Sequence, residues 1–206
     1  MLRWAVTLLL WQLSLPLYGD DYRLDIYSQA ELLTLIQQDK YLQQVQADDC
    51  QLVQDIEARA DILQQPLYQF LWGEMLNFGI CVPVNPSRGM VLLRAAAEQG
   101  SPEAMVQLAK YYQHGRFVVQ NKDRAVQYVL PAAANGSQPA RMMLVRLMAA
   151  GYGSPRDYEQ AYHWLFNEVF SDDAVKLEAM KLLQGLEVKM PASVVERARN
   201  ASLTSR

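Results

Sequence analysis

An all-α solenoid of stacked helix-turn-helix units, closed at each end by flanking helices, is the fold class this sequence predicts, on three observations. Glycine recurs every 36 residues at Gly79, Gly115 and Gly151, and again at Gly100 and Gly136. Small and apolar columns keep the same interval: Gly89, Ala125 and Ala161; Leu93, Val129 and Leu165; Ala104 and Ala140; Leu108 and Leu144. Helix start signals, Ser101, Ser137, Asn85, Asn121 and Asp157, fall in register with those glycines. A period of this size marks paired helices that bury their apolar faces only by stacking on neighbours.

The elements follow in chain order. Met1 and Arg3, the apolar residues 5–13, then Ser14, Pro16 and Gly19 read as a secretory leader over residues 1–19. An uncleaved anchor is the alternative, but the apolar run is shorter than the roughly 18 to 20 residues that span a bilayer. Residues 20–65 form an N-terminal helical region. Ser28-x-x-Glu31 is a capping box ahead of Leu32, Leu33, Leu35 and Ile36, and a second helix is expected over 49–65, with Cys50 at its opening and Leu52, Val53, Ile56 and Leu63 on one face.

Three repeats are drawn over 66–170, as units 66–101, 102–137 and 138–170. The first helix of a unit starts at Ser101-Pro102 or Ser137, where a hydroxyl accepts an orphan N–H and proline loses no hydrogen bond. It ends at Gly79, Gly115 or Gly151, which supply a left-handed cap. The second helix follows Asn85, Asn121 or Asp157 and ends at Gly100 or Gly136. Ala95 to Ala97 and Ala132 to Ala134 let helices approach, while Leu108, Tyr112, Tyr128 and Trp164 fill the gaps. Pro131 inside a second helix and the turn Gly151-Tyr152-Gly153-Ser154 break the regularity. Residues 171–206 supply capping helices and a tail: one helix from Ser171-Asp172-Asp173 to a stop at Gly185, a short one opened by Pro191, and a frayed end.

Charge is uneven, since residues 20–61 hold ten acidic side chains against Arg23, Lys40 and Arg59. This acidic stretch is a solvated face or a docking surface, and nothing in the composition points to nucleic acid. Cys50 and Cys81, the two cysteines, are expected to form a disulfide after export. A catalytic thiol is the alternative, but Asp48 and Asp49 beside Cys50 would raise its pKa. His114 and His163 lack a ligand-spaced partner, and Asp172 with Asp173 are helix-start residues. No catalytic residue, metal site or cofactor is expected.

The first helices of such arrays line a concave face that holds partners. With Ala104, Leu108 and Tyr112 buried, Gln107, Lys110 and Tyr111 point the other way, with Met143, Arg146 and Leu147 as their counterparts one repeat later and Leu71, Glu74 and Met75 one repeat earlier. These nine are the candidate partner-binding surface.

The columns Gly79, Asn85 and Gly89, with the string from Arg94 through Ala-Ala-Ala-Glu-Gln-Gly100-Ser-Pro-Glu to Ala104, resemble the Sel-one-like repeat. The leader, the opening Asp20-Asp-Tyr-Arg-Leu-Asp-Ile-Tyr27, the region around Cys50 and Cys81 and the three repeats together resemble the MotX family, periplasmic components of the sodium-driven polar flagellar motor. That resemblance implies a non-enzymatic place in a ring beneath the outer membrane, at the flagellar basal body. It implies MotY as ring partner and assembly of the PomA/PomB stator complex as the outcome. The competing reading is a periplasmic Sel-one-like adaptor for envelope or peptidoglycan assembly.

Overall fold

The computed structural model of the chain describes residues 27–201; the leader, the Asp20 to Ile26 opening and the end of the expected tail lie outside the described residues. Eleven helices and no strand occur among them. α1 (Gln29–Gln37), α2 (Tyr41–Ala47) and α3 (Val53–Asp61) precede the array. The array pairs α4 (Pro66–Phe78) with α5 (Pro86–Glu98), α6 (Pro102–His114) with α7 (Lys122–Ala134), and α8 (Gln138–Ala149) with α9 (Tyr158–Phe166). α10 (Asp173–Glu187) and α11 (Ala192–Asn200) follow. Each first helix packs on its own second helix and on the first helix of the next unit, α4 on α6, α6 on α8 and α8 on α10.

Local chemistry explains the ends. Asn85 and Asn121 accept from the backbone N–H of Arg88 at 3.1 Å and Arg124 at 2.8 Å. Gly79 and Gly115 take φ of 69° and 71°, left-handed values that cost a side-chain-bearing residue energy. The second helices stop differently. Gly100 and Gly136 bond back three residues, to Ala97 and Ala133, and the following Ser101 and Ser137 bond back five, to Ala96 and Ala132. This is a Schellman closure whose last residue is also the cap position of the next helix.

Four expectations need correction. The helix expected over 49–65 is the shorter α3, Val53–Asp61, and Asp49 and Cys50, at φ of 52° and 59°, lie in the turn that separates it from α2. Two successive left-handed residues cannot continue a right-handed helix, so Cys50 sits in a turn and opens nothing. Ser137, expected to cap α8 with its hydroxyl, makes no side-chain capping bond, although Gly151 at the other end is left-handed as expected, with φ of 94°, and closes α8 in the Schellman manner with Tyr152. Asp157 makes no side-chain capping bond; Ser154 does, over a 3-10 turn at Pro155–Asp157. Gly185 does not stop α10, which runs on to Glu187; a Cβ there would stand 3.4 Å from Ala149, so the residue serves the packing of α10 on α8.

The disulfide joins Cys50 and Cys81 with Cα atoms 5.5 Å apart, tying the α2–α3 turn to the loop after α4. Cys81 is itself left-handed, as is Phe117 one repeat later and Gly153 one repeat after that. Two apolar cores result. One runs from Tyr27 to Tyr111 and the other from Ala109 to Ala198, with half-buried Met105, Val118 and Tyr128 packing against both.

Candidate functional site

α4 is a first helix with almost no solvent face: every residue from Tyr68 to Asn77 is buried, so it carries its polar groups inward. Glu74 is 0 % exposed. Its carboxylate accepts from the Tyr111 hydroxyl of α6 at 2.7 Å, Tyr41 of α2 at 3.1 Å, Gln107 of α6 at 3.0 Å and Asn77 at 3.1 Å. Burial pushes the Glu74 carboxyl above its ordinary value even though these donors oppose the shift. The same burial, with Glu74 alongside, raises the Tyr41 and Tyr111 hydroxyls. Three elements distant in sequence are thus pinned on one buried group.

Above this clamp the first helices line a concave groove. One stretch, of about 710 Å³, lies between the α1–α2 junction and the starts of α6 and α8, among Ile36, Asp39, Tyr41, Phe70, Glu103 and Gln107. The next, of about 650 Å³, continues along α6, α8 and α10 past Gln113, His114, Met142, Met143, Arg146 and Glu178. Val106, Lys110, Gln138 and Pro139 belong to both, which makes the groove continuous. Apolar floor alternates with amide and cationic donors. Arg146 is paired with Glu178, while Lys110 is exposed and has no charged partner among the described residues.

The nine sequence-chosen residues divide on this geometry. Gln107, Lys110 and Arg146 line the groove with solvent access. Leu71, Glu74, Met75, Tyr111 and Leu147 are buried and do not line it, and Met143 touches it from a buried position. The first five are corrected as a contact surface, because α4 is covered by α2 and α6, and α6 and α8 by the first helices beside them, so the buried arc is wider than a single stripe. Sequence reasoning missed Val106, Gln138, Pro139 and Met142. The apolar character of α4 all round was the available signal that this helix is interior.

The remaining titratable groups have structural roles. Asp172 accepts from the N–H of Ala174 at 2.7 Å and caps α10. His163 Nδ1 meets the carbonyl of Ala198 at 2.8 Å, tying α9 to α11, and His114 stands at the groove edge before the cap Gly115. No group of acidic, histidine or cysteine side chains among the described residues is arranged to hold a metal ion.

Comparison with known proteins agrees with this architecture. The Sel1 repeat model matches residues 66–101, 102–137 and 146–166. A Sel1 repeat protein from Oxalobacter formigenes superposes with a TM-score of 0.50 at 22% identity, over 72% of this chain and 98% of that one. A protective antigen of uropathogenic Escherichia coli with an SLR fold gives 0.50 at 22% identity, over 65% of this chain and 28% of that one. At that identity these two speak for the fold alone. The sodium-type polar flagellar protein MotX of Vibrio parahaemolyticus is 45% identical over 178 residues, which cover 86% of this chain and 84% of that protein. At 45% identity over most of both chains, with the Sel1 repeats matched beside it, the chain belongs to the MotX family of sodium-type polar flagellar proteins.

Proposed function

We propose that the chain is a non-enzymatic scaffold of a sodium-driven polar flagellar motor, working in the periplasm at the basal body. The 45% identity to a sodium-type polar flagellar protein over most of both chains carries this reading. In it, the chain joins MotY in a ring and so allows PomA/PomB stator units to assemble. The concave groove is the surface assigned to the ring partner, with Lys110, Gln107 and Arg146 as its polar contacts over an apolar floor. Such a mixture of donors with methionine and valine suits a protein segment better than a small molecule.

The test is complementation. A strain lacking this chain is expected to build flagella and fail to swim, and the intact chain to restore swimming. Lys110→Glu with Arg146→Glu is expected to leave the fold intact, since both residues are exposed, and to abolish both swimming and co-purification with MotY. Normal swimming in the deletion strain sinks the motor role; normal swimming in the double variant alone moves the docking surface off the groove.

A further inference from the structure

α10 is built unlike the first helices before it. It buries Ala179, Leu183 and Leu186, and it turns Glu178 and Gly185 toward Arg146 and Ala149 of α8. On the opposite side Leu177 and Met180 are 54% and 51% exposed. Gln184 and the exposed Val188 extend the line at spacings of four, which on a helix makes a single stripe. Beside the stripe lies the junction of α10 with the ends of α9 and α11. A cleft of about 340 Å³ opens there over Tyr162, Leu165, Phe166 and Leu183, with Phe166 still 43% exposed although stacked on Tyr162. A further repeat would lay its first helix here, and a solenoid normally ends in a polar cap instead.

Around this apolar end Glu168, Glu178 and Glu187 are taken up by arginines, Asp172 caps α10 and Asp173 stands in its first turn, which leaves lysines as the unpaired charges along the rest of the stripe. Lys176 and Lys181 border the stripe on its two sides, and Lys189 stands beyond Val188. None of the three has a charged partner among the described residues, whereas Arg141, Arg146, Arg197 and Arg199 at the same end are paired with Glu168, Glu178, Glu159 and Glu187. Left unpaired on both edges of an apolar strip, lysines attract carboxylates and repel cations.

We propose that this end face binds an amphipathic helix of a partner protein, with an apolar stripe flanked by Asp or Glu, which packs on α10 and over the cleft as the next helix of the array. The site is separate from the concave groove and stands or falls independently of it.

Two labelled peptides of about 16 residues test this, sharing one leucine stripe at helical spacing and differing only in flanks of Glu or of Lys. By fluorescence anisotropy the full chain is expected to bind the Glu-flanked peptide at least about tenfold more tightly, with the difference shrinking as salt rises. Lys176→Glu with Lys181→Glu is expected to reverse the preference, and Met180→Asp to abolish binding of both, with circular dichroism melts unchanged. Equal binding of the two peptides, or binding of neither, overturns the proposal. So does self-association in sedimentation that Met180→Asp removes, which assigns the face to a second copy, or Met180-dependent flotation with anionic vesicles, which assigns it to lipid.

Discussion

At Glu74 both carboxylate oxygens are used: Oε1 accepts from Tyr111 and Asn77, and Oε2 from Tyr111, Tyr41 and Gln107. Glu74→Gln replaces one acceptor with an NH2 donor facing other donors, and a cost of about 1–3 kcal/mol at neutral pH is expected in denaturant melts. The pH dependence has a definite sign. A carboxyl raised in the folded state holds its proton above the ordinary 4.5, so the folded form binds more protons there and stability falls as pH rises from 4.5 through the raised value. Wild-type minus Glu74→Gln stability should therefore decline across that range; a difference that grows with pH contradicts the raised carboxyl. Glu74 is the counterpart of Lys110 one repeat earlier, and that register alone puts it on the partner surface in the sequence. Only the location of Tyr41 and Tyr111, far away along the chain, reveals its real setting.

Among the elements, the array was legible because its signals are local. Asn caps, left-handed glycines and alanine clusters act within one turn of the residue that bears them, and α5 and α7 begin, and α4 to α7 end, where those residues stand. The N-terminal region was legible only in part: α1 announced itself through Ser28, which accepts from the N–H of Glu31 at 3.2 Å, but the break at Asp49 and Cys50 depends on a partner cysteine 31 residues away. The groove was half legible, since periodicity gives the direction of Lys110 but not the neighbour that covers Tyr111. Repeated residues also need not repeat their role. Ser101 accepts from the N–H of Ala104 at 3.2 Å, whereas Ser137 makes no side-chain capping bond. Ser101→Ala should cost about 1 kcal/mol and Ser137→Ala a few tenths at most. Equal losses in the two variants would show that the cap bond is not what distinguishes them.

At the scale of the molecule, the described residues form two cores in series rather than one, meeting around α6 and α7. The disulfide and the Glu74 clamp both belong to the first. Closing a loop of this length stabilises by about 3–4 kcal/mol in the chain-entropy view. Cys50→Ser with Cys81→Ser is therefore expected to speed hydrogen exchange of α1 to α4 amides by tenfold or more while α8 and α9 change little. Uniform loss along the chain would mean that the two cores unfold as one. The junctions between units carry a different consequence, for changes in chain length. Residues 99–101 and 135–137 are the whole connection from one unit to the next, and in each the serine both closes the helix behind it and occupies the cap position of the helix ahead. A residue added there separates those two positions and shifts every later helix in phase. Loops 79–85 and 115–121 join helices already held side by side, so extra residues there bulge outward and leave the stacking pitch alone. Insertions and deletions among relatives should accordingly gather in the second kind of connection and avoid the first.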